Sequence, residues 1–167
     1  MPNITFSRVV RLIVLDAGPI NTLAAAHRLS LLLSPPQIRL TLLRSVVDEI
    51  LVRSDDLAAF MATHSDRIDV IETSVCRDNA ARRRRGEVLG KGRVDLAIAD
   101  FLLNEIDRVT GEAPSLLITE DRKLLERLSS EAFRNVRFMT PVAYLRALER
   151  KGVDSFPDVW RAIVEDG

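Results

Sequence analysis

The chain has 167 residues, 47% hydrophobic and 29% charged, with 24 basic and 24 acidic side chains and a formal net charge of zero. That length predicts one domain over residues 1–167 with a sizeable core, and the composition excludes a disordered tract. Charge balance argues against an electrostatic glove for nucleic acid over the whole surface, and the single Cys76 excludes an intramolecular disulfide. With no secretory pattern and no apolar run long enough for a membrane span, a cytoplasmic protein with no membrane contact is the expectation.

Arg8 to Asp16 reads as the first strand, because Leu12-Ile13-Val14-Leu15 is nearly continuous in apolar residues and stops on Asp16 before Ala17-Gly18-Pro19. Pro19 to about Leu33 reads as a helix, ended by Ser34-Pro35-Pro36. Ile38 to Leu43 is a second strand, and Ser45 is the expected N-cap of a helix carrying Asp48, Glu49 and Ile50. Asp55 to His64 is helical, Arg67 to Glu72 a third strand, and Ser74 to about Leu89 a basic helix closed by Gly90-Lys91-Gly92. Val94 to Val109 is the longest helical pattern. At about 100° per residue it sets Asp95 in the middle of an apolar stripe with Ile98, Leu102 and Ile106, and turns Asp100 toward solvent. Ser115 to Thr119 is a fourth strand ending on Glu120-Asp121; Arg122 to Phe133 is a helix, Val136 to Thr140 a fifth strand and Pro141 to Arg150 a helix. A last helix is expected near Ser155, Pro157 and Trp160. Strands alternating with helices predict a parallel sheet covered on both faces.

Two strands finish on acids, Asp16 and Asp121, which would emerge together if the strands are neighbours. Glu49 and Asp95 could complete a ring of four, with Asp48 an open alternative to Glu49. Carboxylates drawn together repel unless a cation offsets them, and oxygen donors favour Mg²⁺ or Mn²⁺ over zinc in a chain with two histidines and one cysteine. Each acid also has a plainer explanation: Asp16 and Asp121 both precede helices, where Asp is a preferred N-cap.

Val14-Leu15-Asp16, Val46-Val47-Asp48-Glu49-Ile50, Asp95-Leu96-Ala97-Ile98-Ala99 and Ile118-Thr119-Glu120-Asp121, in that order, resemble the motifs of the PIN-domain metal-dependent ribonucleases, including the VapC-like toxins. The resemblance spans about residues 8–148 and leaves an extra C-terminal helix over 149–167. It implies a three-layer α/β/α sandwich around a five-stranded parallel sheet, and hydrolysis of RNA phosphodiester bonds. It further implies catalytic Asp16, Glu49, Asp95 and Asp121, with Mg²⁺ or Mn²⁺ held by Asp16, Asp95 and Asp121. Thr119 would bond Asp121 or a phosphate oxygen, and Arg82, Arg83, Arg84 and Arg85 would dock the RNA backbone; a solvated helix face is the competing reading of that run. Members of the family are often toxins of toxin–antitoxin pairs, so an antitoxin protein and a homodimer are the implied partners. The sequence departs from the family at Ala17-Gly18 and at Glu120. Those departures favour the alternative of a non-catalytic PIN-like module that binds RNA or protein.

Overall fold

In the computed structural model, residues 10–15, 17–25, 27–34, 36–52, 54–110, 114–129 and 136–151 are described. The short apolar runs form strands β1 (Val10–Val14), β2 (Ile38–Leu43), β3 (Ile68–Ile71), β4 (Ser115–Ile118) and β5 (Val136–Met139). They make one parallel sheet in the order β3-β2-β1-β4-β5. Continuous apolar runs suit such a sheet because both faces are covered. Val10, Leu12, Val14, Leu40, Leu42, Leu116 and Ile118 fill one face, Ile13, Leu43 and Leu117 the other, and none of them is more than 2% exposed. Each such side chain contributes about 1.5–3 kcal/mol on burial.

Between the strands lie α1 (Ala17–Ala25), α2 (Arg44–Leu51), α3 (Asp55–Thr63), α4 (Ser74–Arg84), α5 (Lys91–Asp100), α6 (Ile106–Thr110), α7 (Arg122–Ser129) and α8 (Pro141–Lys151). This is the expected three-layer α/β/α sandwich around a five-stranded parallel sheet. No helix among the described residues is long and apolar enough to cross a membrane.

Three helices differ from their predicted form. The first ends at Ala25: Arg28 N–H reaches Leu23 C=O at 2.7 Å and His27 N–H reaches Ala24 C=O at 3.0 Å, with His27 at φ 54°. That is the hydrogen-bond pair of a Schellman stop, with histidine in the left-handed place glycine usually takes; a short 3₁₀ turn, Leu29–Leu33, follows. The basic helix stops the same way at Arg84, with Glu87 N–H on Arg82 C=O, Gly86 N–H on Arg83 C=O and Gly86 at φ 80°. The third difference is a π turn, Phe101–Glu105, that joins α5 to α6. Residues 152–167, with the predicted last helix, lie outside the described residues.

Across β1, β2 and β3 runs a polar ladder. Asp69 accepts from Arg39 Nε at 2.6 Å and Nη2 at 2.8 Å, and from Arg11 Nη1 at 3.0 Å, while Arg11 Nη1 also reaches Thr41 Oγ1 at 2.9 Å. The strand register makes this possible, pairing Arg11 with Arg39 and Thr41 with Asp69.

Candidate active site

Strand order reverses between β1 and β4, and in open α/β sheets the ligand crevice lies outside the carboxyl ends at such a point. Leu15 N–H donates to Ile118 C=O at 3.4 Å, so the two strands stay paired one residue past their ends. Fully buried Thr119 holds the next turn: its N–H donates to Met139 C=O at 3.2 Å and its Oγ1 accepts the Asp121 N–H at 3.1 Å. It therefore shapes the rim from beneath, making the bond to Asp121 that the sequence offered. Asp121 is exposed and caps α7, its Oδ1 accepting the N–H groups of Lys123 at 3.0 Å and Leu124 at 3.1 Å. One oxygen does the capping, which leaves the other carboxylate oxygen for a second role.

Asp16 lies outside the described residues. Beyond it, an ideal Cβ on Gly18 would stand 2.7 Å from Glu120 Oε2, so the turns after β1 and β4 touch at this pair. Glycine is what admits the carboxylate there. Both departures from the family pattern thus belong to one contact.

The other acids come from α2 and α5. Leu43, not Ser45, is the residue before α2; Ser45 is buried inside the helix. Asp48 and Glu49 are both half-buried. Burial pushes the Asp48 carboxyl up; the Arg44 and Arg83 charges oppose that rise and Glu72 adds to it. Asp95 is exposed, contrary to its predicted place in the apolar stripe. The buried positions are Ala97, Ile98, Phe101, Leu102 and Ile106. A π turn advances less per residue than an α-helix, so a constant 100° step carried through Phe101–Glu105 aligned Asp95 with the wrong residues. Asp100 is half-buried, not solvated. It accepts from Asn104 Nδ2 at 2.8 Å, Ser74 Oγ at 3.1 Å and Val75 N–H at 3.4 Å, and these bonds hold its carboxyl below the ordinary range.

Among the described residues, no three Asp, Glu, His or Cys side chains stand close enough to hold a metal ion. Glu49, Asp95 and Asp121 are thus not gathered into such a group by themselves. The donors present are oxygens, a set that fits a hard divalent ion. Cys76 is buried and free, as its structural reading expects. His64 packs its ring on Phe60 at 4.9 Å, and His27 stands 3.6 Å from Asp56 in the open.

No protein-family model and no curated protein matches the chain. A chain of the crystal structure of VapBC2 from Rickettsia felis, bound to a DNA fragment from their promoter, is similar at 16% identity with a TM-score of 0.41. That similarity covers 78% of this chain and 98% of the other.

The basic run is largely consumed by its own neighbours. Arg82 Nε bonds Asp78 at 2.9 Å and its Nη1 bonds Glu87 at 3.3 Å, while Arg85 Nε bonds Glu87 at 3.0 Å. Arg93 closes the group, pairing with Asp78 and donating from Nε to Asn79 Oδ1 at 2.9 Å. The Gly86 stop turns Glu87 back onto the helix, where it meets Arg82 and Arg85. Arg84 is exposed and makes no ion pair among the described residues; Arg83 is half-buried and acts on Asp48 through its charge.

Beside the rim is a pocket of about 90 Å³ whose walls include Val14, Pro19, Leu23, Ile118, Tyr144 and Leu145. Glu120 is the one charged residue among its described lining, and half-exposed Val142 forms part of its lip. Nothing in the sequence signalled this pocket, because α1, the 3₁₀ turn and α8 meet there only in the folded chain.

Proposed function

We propose that the chain is a metal-dependent ribonuclease, with Asp16, Asp95 and Asp121 holding Mg²⁺ or Mn²⁺ and Glu49 contributing directly or through water. The pairing of β1 and β4 out to Leu15 and Ile118 carries this reading, since it brings the segments that bear Asp16 and Asp121 to one rim at the reversal of strand order. When bound, the ion supplies an activated water and charge stabilisation at phosphorus. Asp121 is fixed for its part by the α7 amides and by Thr119, and Asp95 is exposed on α5. Arg84 is the residue of the basic run best placed to meet a backbone phosphate.

The test is cleavage of single-stranded RNA with Mn²⁺ by the wild type, Asp16→Asn and Asp121→Asn. Asn is itself a good N-cap, so Asp121→Asn leaves α7 capped while removing charge. Loss of roughly a hundredfold or more in both variants is expected; equal activity in all three rejects the proposal. A non-catalytic RNA- or protein-binding module is the second reading, favoured by the capping duty of Asp121 and by the Gly18–Glu120 contact at the rim. It gives RNA binding without turnover in the same assay. A toxin role, an antitoxin partner and a homodimer belong to the proposal as well; exposed Leu96 and Leu103 on the long helix support a protein-binding face.

A further inference from the structure

We infer that Asn79 is a positioning residue: from α4 it grips Arg93, and that grip fixes the first turn of α5 and with it the place of Asp95. The contact stands on its own geometry, whereas the duty of Asp95 rests on the ribonuclease proposal. By its sequence, that turn is a weak place to start a helix. Its N-cap is Gly90, which has no side chain to bond the free N–H groups, and Gly92 follows inside the turn. Nor does the turn hold an acid to suit the positive end of the helix.

Arg93 is where the turn is held. Asn79, 3% exposed, accepts from Arg93 Nε at 2.9 Å through Oδ1 and donates from Nδ2 to the Arg93 C=O at 3.2 Å. One amide thus grips both the side chain and the backbone. The Arg93 guanidinium also pairs with Asp78, the neighbour of Asn79 in α4. Asparagine is a poor helix former and costly to bury without partners, and these bonds account for it here. Asp95 comes two residues after Arg93, about 200° around the helix at about 100° per residue, so the grip sets its direction without occupying it. The same Nδ2 comes to 3.5 Å from Ser45 Oγ, one helical turn before Glu49 on α2. Asn79 therefore meets both helices that carry Glu49 and Asp95.

Amide exchange of the metal-free protein reads the grip directly. Asn79→Ala, and Arg93→Ala at a partly exposed position, should each speed exchange over Asp95 to Ile98 about tenfold, with β1 and β2 unchanged. Titration with Mn²⁺ then separates positioning from plain stability. Both variants should bind Mn²⁺ about tenfold more weakly, as changes behind a ligand do, and Asn79→Ala should add nothing further to Asp95→Asn. Asp69→Asn, which loosens the sheet away from α5, should leave Mn²⁺ affinity within about twofold of the wild type. Unchanged exchange in both variants overturns the grip. Faster exchange with unchanged Mn²⁺ affinity, or losses that simply add in the double variant, overturns the positioning role. A wild type that neither binds Mn²⁺ nor cleaves RNA removes the ribonuclease proposal and the duty of Asp95 with it, while faster exchange in Asn79→Ala keeps the contact.

Discussion

Single residues set opposite pH trends in this protein. Asp69 is held below its ordinary pKa, first by the Arg39 bonds and then by Arg11, against the opposing effect of burial. Its stabilising contribution is full above its unfolded pKa of about 4 and disappears as pH falls through the lowered native value. Asp69→Asn should therefore cost about 1–2 kcal/mol in urea unfolding at pH 7, and the gap from wild type should close at strongly acidic pH. Asp48 runs the other way, because its native carboxyl binds a proton more readily than the unfolded one. Stability falls as pH rises from about 4 through its raised native pKa, so Asp48→Asn should make the protein more stable at neutral pH and unchanged at strongly acidic pH. Tyr144 adds a third test. Its hydroxyl is buried without a hydrogen-bond partner among the described residues and burial pushes its pKa up, so Tyr144→Phe should raise the unfolding free energy by about 1 kcal/mol.

Helix ends decide the next scale. His27 occupies a left-handed conformation that costs a non-glycine residue about 1–2 kcal/mol, and its exposed pair with Asp56 returns little. His27→Gly should stabilise the protein by about 0.5–1 kcal/mol in thermal melts, the entropy of the added glycine offsetting part of the relief. Asp100 acts across elements: from the end of α5 it accepts the Val75 N–H and the Ser74 hydroxyl in the first turn of α4. Asp100→Ala should cost about 1 kcal/mol, as other lost caps do, with amide exchange accelerated in the first turn of α4. The stop at His27 and the π turn each re-phase the chain so that apolar side chains beyond them are buried, Leu29 and Leu32 after the first and Ile106 after the second.

For the whole molecule, a formal net charge of zero gives little long-range attraction to RNA. Arg84→Ala should lower the salt dependence of RNA binding by about one phosphate contact, whereas Arg82→Ala should act mainly by loosening the end of α4.

The sequence determined the sheet. Apolar runs of four to six residues, punctuated by proline, glycine and acids, fix five strands and their alternation with helices, since a strand covered on both faces has no solvent side to mark it otherwise. It also placed Asp121 on the rim, because a carboxylate directly after an apolar strand has nowhere else to go. Only the tertiary structure decided which way Asp95 and Asp100 turn: α5 buries Ala97 and Ile98, and Asp100 is held by Asn104 and by the first turn of α4. The same holds for the arginine run and for the apolar pocket. Glu87 reaches Arg82 and Arg85 through a glycine turn, and Val14, Leu23 and Tyr144 share a wall across well over a hundred residues of chain, distances that no local pattern records.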